Sequence, residues 1–218
     1  MNAVTSHGML FVASDINAED EADFNAWYDR EHVEERVRMQ GVISAARYSA
    51  VSGKPRYLGL YWAESLSVFA SAAYAHAFQN QTPWSEKILP KMVAPTRRIG
   101  DVSANVGQGS GAFVAVLPLN IPDDPQALSD RCAEIGGLLS EDLSFVHSYL
   151  LTPKDELSKP LPQEDLDARR MNPLFIIESS NIRSNEQALE FATKALDGLS
   201  ANAARYALTW KLSAAELT

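Results

Sequence analysis

Residues Gly8–Tyr48, GMLFVASDINAEDEADFNAWYDREHVEERVRMQGVISAARY, contain two changes of hydrophobic period in quick succession. Gly8 to Ser14 is a short apolar run of the kind that forms a buried strand, and Asp15 to Asp20 is an acidic turn. The spacing then predicts a helix to about Met39, stopped by Gly41. Val42 to Val51 reads as a second strand, Gly53-Lys54-Pro55 as a turn and Tyr57 to Trp62 as a third strand. A second helix is expected over about Leu66 to Gln79. An irregular stretch containing Pro83, Trp84 and Pro90 follows, and a last strand runs from about Thr96 to Val102. This βαββαβ order is that of a ferredoxin-like unit.

The order then repeats. Phe11-Val12-Ala13 is echoed by Phe113-Val114-Ala115, and Tyr48 falls opposite Tyr149, at offsets of 102 and 101 residues. Leu174 to Glu178 corresponds to the third strand, Glu186 to Leu196 to the second helix and Ala204 to Leu212 to the last strand. Residues 1–106 and 107–218 are thus expected to be two halves joined by the flexible Gly107-Gln108-Gly109-Ser110-Gly111 segment. The second half gains a charged insertion between Thr152 and Pro173 and lacks the Trp84 to Pro90 segment, as loops of a duplicated scaffold would. A sheet covered by helices on one face must bury the other. The expected fold is therefore α+β, two ferredoxin-like halves packed sheet to sheet as a barrel within one chain. Association into a homodimer is left open.

Composition narrows the function. Hydrophobic residues make up 46% and charged residues 22% of the 218, as in ordinary globular proteins. A formal charge of −9 argues against nucleic acid and anionic membrane surfaces. No apolar stretch approaches the roughly 20 residues of a bilayer span. Met1 to His7 lacks the basic start and apolar core of an export signal, so a cytoplasmic location is expected. Cys132 is the single cysteine, which precludes an internal disulfide, and it reads as a small buried filler.

The first helix holds the chemistry. On a helical wheel Phe24, Trp27, Tyr28, Glu31 and Glu35 share one side with His32 at the margin, and Ala22, Ala26, Val33 and Val37 lie opposite. The small stripe suits packing on a sheet. The aromatic and charged stripe then meets a loop, the other half or a cavity, or else Glu31, Glu34, Glu35, Arg36 and Arg38 are solvated pairs. His32 is the candidate general acid or base, with Asp29 or Glu31 fixing its tautomer and Tyr28 beside it. Arg47 and Tyr48 are adjacent and face opposite ways, so at most one lines the interior. Tyr48 and Tyr149 are expected to be an interior pair, with His147 on the same strand face as Tyr149. His76, among small apolar residues, is either a buried structural histidine or a haem ligand. No metal site is expected: His32 and Glu35 supply one cluster and the second half has no equivalent.

The sequence Phe24-Asn25-Ala26-Trp27-Tyr28-Asp29-Arg30-Glu31-His32, followed by Gly41-Val42 and Ala46-Arg47-Tyr48, resembles the EthD-like members of the dimeric α/β-barrel superfamily. Thr82-Pro83-Trp84 resembles the aromatic segment after their second helix. The resemblance implies a small, mostly apolar pocket between sheet and helices, or between the halves, served by the histidine of the run. Arg131-Cys132-Ala133-Glu134 stands near the matching place in the second half, so a twin site there is expected to be degenerate.

These readings converge on a cofactor-independent isomerase, cyclase or lyase acting on a small cyclic or aromatic-derived carbonyl compound. His32, Asp29, Glu31 and Tyr28 are its candidate catalytic residues, and Trp27, Arg47, Tyr48, Trp84, His147 and Tyr149 its candidate substrate contacts. The alternatives are a haem-binding or oxygen-using enzyme with His76 or His147 as ligand, and a non-catalytic ligand-binding protein.

Overall fold

A computed structural model describes residues 6–217; Met1–Thr5, part of the stretch read above for an export signal, lie outside them. The strands are β1 (Gly8–Ile16), β2 (Val42–Ser52), β3 (Tyr57–Ala63), β4 (Met92–Gly107), β5 (Phe113–Pro118), β6 (Phe145–Pro153), β7 (Leu174–Ser179) and β8 (Ala204–Ser213). They close into one antiparallel barrel in the order β1-β3-β2-β8-β5-β7-β6-β4. Two arcs of equal design, β4-β1-β3-β2 and β8-β5-β7-β6, are therefore joined at the β2–β8 and β4–β6 seams. Backbone crowding at the second seam requires glycine: a Cβ on Gly100 would stand 2.0 Å from the Thr152 carbonyl oxygen.

Alternation along the strands sorts side chains to two faces. Met9, Phe11, Leu58, Leu60, Tyr48, Tyr149, Ile176 and Tyr206 fill the barrel, as an eight-stranded barrel allows. Leu10, Val12, Tyr57, Tyr61 and Ile99 face outward under the first set of helices, and Ala115, Leu117, Leu150, Phe175 and Ile177 under the second. Cys132 is fully buried in the second outer cluster, and burial pushes its thiol up to about 12, which fits a filler. Among the described residues no helix is long and apolar enough to cross a membrane.

The helix after β1 departs from the 3.6-residue period. α1 (Glu21–Trp27) runs without interruption through a π-helical turn, Tyr28–His32, into α2 (Val33–Val37). A turn closed by i→i+5 bonds takes in one extra residue, a rotation of about 100°. Phe24 and Trp27 before it, Tyr28 at its start, and Val33, Arg36 and Val37 after it are consequently all buried. The expectation that the aromatic stripe points away from the sheet is corrected, because the wheel holds a constant period across this turn. Ala22 is exposed and Phe24 packs on Tyr57 at 5.1 Å. Gly41 ends the segment at φ 86°, a left-handed conformation that suits glycine.

Two further segments differ from expectation. The stretch read as irregular forms α4 (Pro83–Ile88) after α3 (Ala72–Gln79), with Thr82 capping it by accepting from the Ser85 amide. The insertion in the second half, residues 154–173, crosses the seam and packs Leu157 and Leu161 against the first outer cluster. The second half carries α5 (Pro125–Leu139) and α6 (Ile182–Ala195) on its own outer face.

Candidate functional site

The π turn carries the Trp27 to His32 run, and α4 braces it from behind. Trp27 donates from Nε1 to Ser85 Oγ at 3.0 Å, Thr82 donates to Glu31 at 2.5 Å, and Trp84 donates from Nε1 to Asp23 at 2.9 Å. Trp84, expected as a substrate contact, is thus a strut. Asp29 pairs with Arg47, whose other arm donates to Asn25 Oδ1 at 2.9 Å. Asp29 and Glu31 are each bonded to a partner on a neighbouring element.

The carboxylate that does face His32 is Glu35, one helical turn on, with Oε2 3.9 Å from His32 Nδ1 and 3.9 Å from Arg36 Nη2. The imidazole lies flat on Trp27 with ring centres 4.3 Å apart and meets Tyr28 edge-on at 5.4 Å. Arg47 stays beneath Tyr28, 4.4 Å from its ring centre, where the negative face of the ring attracts it. Burial, and then the positive charges of Arg36 and Arg47, hold His32 well below the ordinary histidine value, so the ring is neutral at neutral pH. Tyr28 and Tyr61 are held protonated in the same way, their pKa values raised by burial.

Buried polar atoms without a partner are rare in folded proteins and usually mark function or bound solvent. Six such side-chain atoms occur among the described residues, and four of them, His32 Nδ1, Glu35 Oε2, Arg36 Nη1 and Tyr61 Oη, belong to this region. His32, Arg36, Tyr28 and Trp27 line one side of a cavity here, and Arg97, Tyr74 and Leu161 line the other. The cavity is about 30 Å³, room for a water molecule or two.

Its cover is the strap from the second half. Arg97 donates to the carbonyls of Leu157 and Lys159 at 3.1 and 2.9 Å and to Tyr74 Oη at 2.9 Å. Ser158, fully buried, exchanges hydrogen bonds with the Ile99 backbone, and Glu164, 3% exposed, accepts from Arg98 at 2.5 Å and Arg169 at 3.2 Å. Sequence reasoning missed Arg36, Tyr61 and Arg97. Two adjacent arginines, Arg97-Arg98, inside a strand that is otherwise to be buried were the available signal, since such charges need dedicated partners.

The remaining candidates lie elsewhere. Tyr48 and Tyr149 are both inside the barrel, 2% and 0% exposed, and Tyr149 donates to Glu178 at 2.9 Å. His147 is at the barrel mouth, parallel to Trp62 with centres 5.8 Å apart. A sheet therefore separates this group from His32. His76 is exposed on α3, its Nδ1 3.2 Å from Asn80 Nδ2, which corrects both readings of it as a buried residue and as a haem ligand. Among the described residues no cluster of three or more histidine, cysteine or carboxylate side chains could hold a metal.

No family profile matches the sequence, and no curated protein matches it. Solved structures do resemble this α+β fold with its closed barrel of eight antiparallel strands. An anthrone oxidase-like protein superposes with a TM-score of 0.61 at 11% identity, over 98% of this chain and 95% of that one. A proposed monooxygenase from Lactobacillus acidophilus NCFM gives 0.62 at 7% identity over 96% and 97%. A chlorite dismutase variant from Candidatus Nitrospira defluvii gives 0.55 at 11% identity over 94% and 92%.

Some proteins of this fold bind haem, so its fit can be tested here. The His32 cavity is an order of magnitude smaller than a porphyrin slot requires. His147 lines a larger cavity, of about 760 Å³, whose wall mixes Ser103, Asn105 and Gln108 with Ile43, Trp62 and Val102. At the His32 cavity the residues present do not fit the group.

Proposed function

We propose that the chain is a small-molecule enzyme that moves a proton on an enolisable cyclic or aromatic-derived carbonyl compound, without a cofactor, as an isomerase, cyclase or lyase. The observation that carries this reading is that His32 and Arg36, each with an unpartnered buried nitrogen, line one cavity, with the unpartnered Glu35 Oε2 3.9 Å from His32 Nδ1. His32, neutral and stacked on Trp27, is the base; Glu35, rather than Asp29 or Glu31, is the carboxylate near enough to steady the imidazolium that forms. Arg36 Nη1 has free donor capacity for the developing enolate oxygen, and Trp27 and Tyr28 form the wall of the cavity beside it. Substrate enters by displacing Leu161 and the strap around it. The matching strand orders of the two arcs support reading residues 1–106 and 107–218 as duplicated ferredoxin-like halves, with one site per chain.

A second reading diverges only after proton loss. The carbanion passes electrons to dioxygen, as the likeness to an anthrone oxidase-like protein favours. Anthrone in deuterated buffer tests both readings. The wild type is expected to accelerate exchange at its methylene carbon, and His32→Gln to lower that rate by roughly 10²-fold or more. Equal rates in the two proteins would sink the role of His32. Oxygen uptake in step with exchange would select the second reading. Exchange at the buffer rate for anthrone and other enolisable ketones would leave a ligand-binding protein.

A further inference from the structure

We infer a second ligand site at the mouth of the barrel, built to hold a small planar aromatic carboxylate. It is separate from the His32 cavity: Tyr61 faces that cavity's cluster, and Trp62, the next residue of β3, faces the barrel interior. The cavity is about 760 Å³, within the roughly 300–1,000 Å³ usual for small-molecule pockets.

Three features define the ligand. Trp62 is only partly buried and lines the cavity, a flat surface on which an aromatic ring can stack. Its position is fixed by the parallel His147 ring, by Tyr149 edge-on at 4.8 Å and by His7 edge-on at 5.9 Å, with His7 Nδ1 held 3.2 Å from the Ala63 carbonyl. Secondly, the lining contains no Asp or Glu although the chain has 28 of them and a net charge of −9. Its permanent cation is Lys211, exposed at the rim and donating to Ser110 Oγ at 2.6 Å. Burial pushes His147 down to about 4, so the imidazole is neutral and Lys211 matches a single negative charge. Glu178 lies behind this floor, occupied by the Tyr149 hydroxyl and the Gly111 amide at 2.9 and 2.7 Å. Thirdly, Ser44, Ser103, Asn105 and Gln108 supply donors and acceptors around the ring, which suits a hydroxylated aromatic acid.

The test uses the full chain, 4-hydroxybenzoate as probe and the imidazole carbon-bound proton signals of the four histidines as reporters. The expected result is movement of the His7 and His147 signals with those of His32 and His76 still. The acid should bind about fivefold more tightly than neutral 4-hydroxybenzyl alcohol, the worth of one partly exposed ion pair. Lys211→Gln, at an exposed position that leaves folding intact, should erase that preference. Trp62→Leu should abolish the shifts and Trp62→Phe retain them. His32→Gln should change nothing, which keeps this site independent of the proton-transfer reading. Millimolar probe that moves no histidine signal, moves His32 alone, or binds Lys211→Gln with the same acid preference would overturn the inference.

Discussion

At the residue scale, His32 was legible because Trp27-Tyr28-Asp29-Arg30-Glu31-His32 is a dense polar and aromatic run on a helix. Its partners were not. They depend on the extra residue in the π turn, which no constant-period wheel contains, and on Arg97, which arrives from a strand 65 residues away. The depressed histidines also predict a pH effect. His147 titrates near 6.5 when unfolded and near 4 when folded, so the unfolded state takes up the proton first as the pH falls. Stability is full above 6.5 and is lost down to about 4, by on the order of 3 kcal/mol at about 1.4 kcal/mol per tenfold. His32 adds to the loss with the same sign. Urea midpoints of wild type and His147→Phe, measured at both ends of that range, should differ in slope with pH, the variant falling less.

At the scale of elements, the strap and α4 show what loops conceal. That an insertion lay in the second half was plain from the offset of the repeats, but a charged, proline-containing segment does not announce which surface it covers. Its attachment depends on Glu164, which is buried between Arg98 and Arg169. Removing one member of a buried charged set leaves the others uncompensated, a cost of about 3–5 kcal/mol. Glu164→Ala is therefore expected to free residues 154–170 while the barrel stays folded. Hydrogen exchange should rise by about 100-fold or more in the strap and remain slow in β1 and β3. Uniform loosening of the whole chain would contradict this.

For the molecule as a whole, the order of elements along the chain was legible, because the apolar runs at Phe11 to Ala13 and Phe113 to Ala115 each open a β-α-β-β-α-β series, whereas the order of the strands around the barrel depends on pairings between residues far apart in the chain. Closure followed from burial, since each arc has an inner face that only the other can cover. Neither arc is complete alone: β2 and β4 would each expose an unpaired edge. Residues 6–106 produced separately are expected to pair edge to edge into a homodimer, measurable by sedimentation, and a stable soluble monomer would argue against two interdependent halves.

The strap also sets a clock. Because the cavity beneath it holds no more than a water molecule or two, any substrate must wait for an opening before it can bind. Observed binding rates should then level off at high ligand concentration, at a ceiling fixed by the protein and shared by every ligand. Apparent affinity falls by whatever fraction of molecules is closed. Arg97 and Arg98 on β4, which hold the strap, would in that way govern how fast the cavity is reached, through a segment the second half supplies.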